Sequence, residues 1–156
     1  MADAWRIRRV GPEDQGLVLA ADVFDGPAMA LGTERFLGAP GAADPRNILI
    51  VAELDGAVLG FASGTILDHP DKPRNLFVQE LGVNEAARRR GIARALLAAL
   101  RAEGRAAGCT VSWVLTEEAN GPARATYAAT GGVETRGVVM YEWEEEGDVS
   151  PPDAAP

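Results

Sequence analysis

Apolar and polar residues alternate along this chain in blocks that change period. The run Leu76-Phe77-Val78-Gln79-Glu80-Leu81-Gly82-Val83 is mostly apolar and reads as a strand, because Phe, Val and Leu suit a pleated surface. After the short polar link Asn84-Glu85-Ala86-Ala87, the residues Ile92, Ala95, Leu96, Ala99 and Leu100 recur at helical spacing, and Gly108 is placed to close that helix. Upstream, Trp5 to Val10 reads as a first strand with Ile7 half buried. Gly11-Pro12-Glu13-Asp14 then signals a helix start, whose apolar face is Leu17, Val18, Ala21 and Phe24. Asp25-Gly26-Pro27 ends it, a second short helix is expected over Thr33 to Leu37 with Thr33 as cap, and 38–45 is a loop by composition. Asn47 to Glu53 and Ala57 to Leu67 read as two strands of a hairpin, turned by Asp55-Gly56. A charged loop, Asp68 to Arg74, leads into the strand at 76–83. Beyond the long helix, a strand is expected over Thr110 to Thr116, a helix over Gly121 to Thr130, and one or two closing strands over Val133 to Trp143, with Gly137 at a turn.

Composition sets the outer limits of this picture. With 156 residues, 47% hydrophobic and 24% charged, the chain reads as one globular domain over residues 1–144. Residues 145–156 are acidic and Pro-rich, the composition of a disordered tail. No apolar run is long enough to span a bilayer, and the N-terminus lacks the apolar stretch of a signal peptide. One cysteine, Cys109, excludes an intramolecular disulfide and fits a cytoplasmic location; with one His besides, the chain offers no metal-ligand cluster. The net charge of −8 argues against nucleic acid as a partner and suits a cationic substrate.

The change of period at residues 84–92 carries the first chemistry. Arg88-Arg89-Arg90-Gly91-Ile92-Ala93 joins a strand to a helix start, where unpaired N–H groups and the helix dipole bind a phosphate well. Gly91 lets the backbone approach an anion closely, and Ala93 leaves the first turn unobstructed. Neither a Walker loop nor Gly-x-Gly-x-x-Gly is present. A basic cluster that is merely solvated is the alternative. The spacing Arg88-x-x-Gly91-x-Ala93 resembles the acetyl-CoA signature of the GNAT N-acetyltransferase superfamily, (Gln/Arg)-x-x-Gly-x-(Gly/Ala). Downstream, Asn120-x-x-Ala123-x-x-x-Tyr127-x-x-x-Gly131 resembles the helix of these enzymes that faces the cofactor thiol, although the usual Gly-Phe is Gly131-Gly132 here. The order β-α-α-β-β-β-α-β-α-β fits the mixed α/β (α+β) GNAT fold, in which helices cover both faces of a central, mostly antiparallel mixed sheet.

The resemblance implies acetyl-CoA as cofactor and direct acetyl transfer to a primary amine within a ternary complex. Its pyrophosphate falls on the N–H groups of Arg89, Arg90, Gly91, Ile92 and Ala93, with Arg88 adding charge. The pantetheine arm pairs with a bulged central strand, a role that falls on the backbones of Leu81 and Val83, with Gly82 as a natural bulge position and the Leu81 N–H as oxyanion donor. The side chains of Leu81 and Val83 read equally as core. Glu80, a carboxylate in an otherwise apolar strand, is the candidate general base; a solvated sheet face or a cation anchor is the alternative. Tyr127 is the candidate general acid for the thiolate, or a Tyr packed on the sheet. Asn120 either hydrogen-bonds the pantetheine amide or caps the helix at Gly121. His69 sits in a Pro-rich loop and Cys109 reads as core. Asp22, Asp25, Glu117 and Glu118 are the acids placed to receive a polyamine, or are simply solvated.

A narrower resemblance concerns the substrate. Asp22-Val23-Phe24, the acid before Leu81, the Ala-rich helix, the Ala-x-x-x-Tyr helix and Arg89-Arg90-Gly91-Ile92-Ala93 (one residue tighter) are similar to aminoglycoside 3-N-acetyltransferases, which acetylate a polycationic antibiotic and underlie antibiotic resistance. The same chassis serves small amines, polyamines and protein N-termini, and a non-catalytic acetyl-CoA sensor is a further reading. Many relatives dimerise, which leaves a homodimer open.

Overall fold

A computed structural model describes residues 4–146, so most of the expected tail lies outside the described residues. The chain divides into two compact units, Met1–Leu115 and Thr116–Pro156.

The first unit is built on a five-stranded sheet. Its strands are β1 (Arg6–Val10), β4 (Asn47–Leu54), β5 (Ala57–Leu67), β6 (Asn75–Val83) and β7 (Val111–Val114), in the order β1-β4-β5-β6-β7. All neighbours are antiparallel except β6 and β7. The hairpin β4–β5 follows from its turn: Asp55 (φ 50°) and Gly56 (φ 80°) are both left-handed, as a two-residue turn matched to strand twist requires. The parallel pair needs a crossover, which is supplied by α3 (Ile92–Ala106).

Helices cover the two faces of this sheet. On one, α1 (Gln15–Leu19) and α2 (Ala30–Leu37) close a core of Val10, Val18, Leu37, Leu49, Val51 and Phe61. On the other, α3 buries Ile92, Leu96, Leu97 and Leu100 against β4, β5 and β6, where Leu76 is fully enclosed. Truncating Leu96 to Ala in this layer should cost about 2–5 kcal/mol. Gly108 (φ 90°) ends α3 as expected. Its N–H bonds the Arg105 carbonyl (3.0 Å) while Cys109 N–H bonds that of Gly104 (2.9 Å), a Schellman closure. On β1 and β4, Arg8 and Arg6 clamp the buried Glu53 at 2.8 and 3.0 Å, and Arg8 also holds Asp14 at 2.9 Å. These guanidiniums, Arg8 first, hold the Glu53 carboxyl below its ordinary range.

Several boundaries differ from expectation. The second helix starts at Ala30, not Thr33; Met29 takes the cap position, and Thr33 is buried inside the helix with its N–H on the Met29 carbonyl. Helix α1 stops at Leu19, and Ala21 and Phe24 reach the same core from the loop that follows. Within the segment read as loop, β2 (Gly38–Ala39) and β3 (Ala42–Ala43) form a two-residue ladder.

The second unit contains α4 (Gly121–Ala129). Asn120 caps it, its Oδ1 accepting from Ala123 N–H at 3.2 Å, and Gly131 (φ 88°) and Gly132 close it by a second Schellman pattern onto the Ala128 and Tyr127 carbonyls. Arg124, Glu134, Arg136 and Glu118 form a chain of ion pairs. The closing strands expected over 133–143 do not form. A strand needs a partner ladder, and this segment has none among the described residues, with Val133 93% and Trp143 77% exposed.

Candidate active site

The arginine-glycine loop and the start of α3 form one half of the site. The first bond of the α3 ladder runs from Ala95 N–H to the Gly91 carbonyl at 3.1 Å, so the N–H groups of Ile92, Ala93 and Arg94 precede it. Gly91, left-handed at φ 79°, has no side chain with which to cap them. Arg89 is left-handed too (φ 62°), an uncommon and costly backbone for a non-glycine residue. Such turns gather successive amides into anion-binding concavities. Arg88 contributes differently: its N–H is spent on the Glu85 carbonyl (3.2 Å), and its Nε reaches the Val83 carbonyl at 3.3 Å. The donor set fits a pyrophosphate.

The adjoining edge of β6 forms a backbone slot. Pairing of β6 with β7 stops at Val78↔Val114, whereas pairing with β5 continues to Val83. Just past that point Asn84 N–H donates to the Leu59 carbonyl at 2.9 Å. Because hydrogen-bonding direction alternates along an antiparallel ladder, Gly82 and Glu80 also face β5, and Leu81 and Val83 turn their amides and carbonyls to the open side. The bulge of this strand lies elsewhere than Gly82. Register shifts between Ser63↔Glu80 and Gly64↔Val78, which leaves Gln79 as the extra residue, while Gly82 pairs with Phe61. Gly82 is needed for space: a Cβ there would come within 2.9 Å of the Phe61 ring and 3.2 Å of the Val23 carbonyl.

The opposite half is a cavity of about 560 Å³ between the α1–α2 region and the sheet. Phe24, Met29, Phe36, Leu37, Leu49 and Val18 wall it, and Glu80, Asp25 and Ser63 lie on it. Phe24 is fixed against Phe61 with ring centroids 4.5 Å apart, which anchors the loop that carries Asp25. Glu80 stays accessible through the open side, yet partial desolvation, followed by the charge of Asp25, pushes its carboxyl above the ordinary value. Ser63 stands directly opposite Glu80 on β5; its Oγ is buried and finds no hydrogen-bond partner among the described residues. Sequence reasoning missed Ser63, Met29 and Phe36. None has a local signal, since only the strand register and the helix packing bring them to this wall.

The remaining candidates are distributed as follows. Asp22 is exposed and is not among the cavity's residues. In the second unit, Tyr127 is half-buried on α4, and burial pushes its phenol up, so it stays protonated near neutrality. Asn120 spends its Oδ1 on the cap, leaving its amide N–H groups for another partner. Glu117 and Glu118 are exposed, and Glu118 pairs with Arg136 at 3.1 Å. His69 is exposed in its loop, whereas Cys109 is buried and its thiol is pushed up by desolvation. Among the described residues no group of three or more His, Cys, Asp and Glu is placed to hold a metal, and no helix is long and apolar enough to cross a membrane.

An uncapped helix start, a strand edge beyond the last β6–β7 pair and a carboxylate-bearing cavity thus lie together within the first unit. The acetyltransferase (GNAT) family model matches residues 19–131, and the chain belongs to this family of acetyltransferases. No curated protein matches the sequence. Among solved structures, the aminoglycoside acetyltransferase meta-AAC0020 from an uncultured soil metagenomic sample, in complex with sisomicin, is similar at 16% identity and a TM-score of 0.76, over 91% of this chain and 97% of that one. The aminoglycoside N-acetyltransferase AAC(6')-Iy in complex with CoA is similar at 24% identity and 0.74, over 92% and 97%. A transcriptional regulator from Bacillus halodurans C-125 reaches 18% and 0.72, over 90% and 100%. Likeness at these identities is likeness of fold.

Proposed function

We propose that the protein transfers an acetyl group from acetyl-CoA to a primary amine by direct attack in a ternary complex. The observation that carries this reading is the β6 edge at Leu81 and Val83, whose amides face away from β5 beyond the last β6–β7 pair, together with the uncapped start of α3. Bound there, acetyl-CoA supplies an activated acetyl thioester. The N–H groups of Arg89 to Ala93 receive the pyrophosphate, and Arg88 adds charge. The Leu81 N–H holds the thioester oxygen as negative charge develops, an interaction worth roughly 3–4 kcal/mol where such donors have been removed from other enzymes. Asn120 offers its amide N–H to the pantetheine. Glu80 removes a proton from the ammonium, directly or through one water, and its raised pKa suits that task. Tyr127, still protonated, returns a proton to the departing thiolate. A covalent acetyl-enzyme is disfavoured, because Cys109 is buried and its thiol is pushed up.

An aminoglycoside acceptor is a second reading, favoured by the structural neighbours and by the paired carboxylates Asp25 and Glu80. Initial rates of thiol release, with acetyl-CoA and amine both varied, test the mechanism. Intersecting lines are expected, and parallel lines would mark a covalent intermediate. A homodimer is proposed as the working state, supported by the exposed apolar run Val138, Val139, Met140, Tyr141 and Trp143. Light scattering after size exclusion should give twice the chain mass, falling to one when Val139 and Tyr141 are replaced by Ser.

A further inference from the structure

We propose that the acceptor is a primary amine with a single positive charge on an apolar body, its nitrogen held between Glu80 and Ser63 and its body in the cavity between α2 and the sheet. The proposal rests on the acetyltransferase reading and narrows it. Three observations converge on it. The cavity, about 560 Å³, is within the size range of small-molecule sites. Charge enters at one place, where Glu80 and Asp25 sense each other, while Phe24, Met29, Phe36, Leu37 and Leu49 supply carbon walls. Finally, the buried Ser63 Oγ has no hydrogen-bond partner among the described residues, and a buried polar atom of this kind calls for one.

Ser63 and Glu80 face each other across β5 and β6, and directly opposed residues have Cβ atoms about 4.5–5.5 Å apart. The proposed amine nitrogen is placed between these two side chains. Glu80 takes one ammonium proton; Ser63 Oγ accepts a hydrogen bond from an N–H that remains and so orients the freed lone pair. The C–N bond forms as the C–S bond breaks; the nitrogen gives up a second proton and the departing thiolate takes one up, which leaves an amide with one N–H, a free thiol and the proton on Glu80. A polyhydroxylated polycation meets the same walls badly. Its hydroxyls and further ammonium groups would be desolvated against Phe36, Leu37 and Leu49, which offer them no partners.

Thiol release from acetyl-CoA with 2-phenylethylamine, hexylamine, spermidine and kanamycin tests the proposal, beside calorimetric titration of each amine. The expected result is a kcat/KM at least tenfold higher for 2-phenylethylamine or hexylamine than for spermidine or kanamycin. Met29, 47% exposed on the wall, permits a variant with little risk to folding. Met29→Asp should lower the 2-phenylethylamine-to-spermidine ratio about tenfold or more, and Ser63→Ala should raise KM for 2-phenylethylamine severalfold. Preference for kanamycin, or a ratio unmoved by Met29→Asp, overturns the proposal. If no amine releases thiol but 2-phenylethylamine binds with Met29-dependent affinity, the pocket assignment stands and the acetyltransferase reading falls. Neither turnover nor binding would overturn both.

Discussion

The two halves of the site are made by opposite means. The half proposed to hold the cofactor uses backbone: amides at the start of α3, the exposed edge of β6 at Leu81 and Val83, and two left-handed residues, Arg89 and Gly91. Nearly all of it lies within residues 81–94, and its side chains matter mainly by being small or basic. The half proposed for the acceptor uses side chains: Phe24 and Met29 from the α1–α2 loop, Phe36 from α2, Ser63 from β5, Glu80 from β6. Backbone geometry changes only through glycine or through strain, whereas side chains can be exchanged one at a time. A family can thus hold one thioester donor fixed while its acceptors diversify.

Substitutions that touch one half alone can break this comparison. The largest effect is expected for Glu80→Gln, which should lower kcat/KM by about 10²–10⁴-fold. Calorimetry should show acetyl-CoA affinity unchanged, and a matching loss of cofactor binding would mean that the halves are not separable. Tyr127→Phe is expected to lower kcat by about 10–100-fold, again with cofactor affinity intact. Gly91→Val probes the other half. A Cβ at Gly91 meets nothing within 4 Å, so the penalty is that of the left-handed backbone, about 1–2 kcal/mol. Acetyl-CoA affinity should fall about 5–30-fold, and amine titration should remain as it was.

The smallest effect sharpens the contrast through pH. Desolvation and then Asp25 raise the Glu80 pKa, so activity should decline as pH falls through that raised value, and Asp25→Asn should move this acid limb of the kcat/KM profile downward. The sign for stability is opposite to that of a salt-bridged acid. Between the unfolded and folded pKa values of Glu80 the folded state binds more protons, so stability declines as pH rises through that window. Glu80→Gln should remove the decline, leaving the variant slightly more heat-resistant at neutral pH. A variant less stable at pH 7 than the parent would contradict the desolvated environment of Glu80.

The same division explains what could be read from the sequence. Helix α3 was legible because its cause is local: a period of apolar residues, a glycine before it and Gly108 after it. The hairpin β4–β5 was legible for a similar reason, since Asp55-Gly56 has one comfortable geometry. Thr33 misled because a cap signal inside a helix looks like one at its start, and only tertiary packing draws Ala30 to Gly32 into the helix. Gly82 misled because a glycine in a strand marks either a bulge or a close approach, and Phe61 lies on a strand the local sequence does not mention. The apolar residues of 133–143 have the composition of a strand, but a strand also requires a neighbour. Glu80 stands out as a carboxylate among apolar residues, whereas Ser63 gains meaning only from the register that sets it opposite Glu80.

The succession β4, β5, β6 has a consequence for how the chain reaches this structure. These strands are sequence neighbours as well as sheet neighbours, joined by a two-residue turn and the short loop 68–74, whereas β1 and β7 must each close a longer stretch of chain. Loop-closure entropy favours the short connections, so the Asp55-Gly56 hairpin should be formed in the folding transition state and the β6–β7 pairing should come later. Gly56→Ala should therefore act mainly by slowing refolding, while Trp113→Leu, at the stacked contact with Phe77 on the late edge, should mainly speed unfolding. Stopped-flow chevrons of the two variants would reveal the order in which the sheet is assembled.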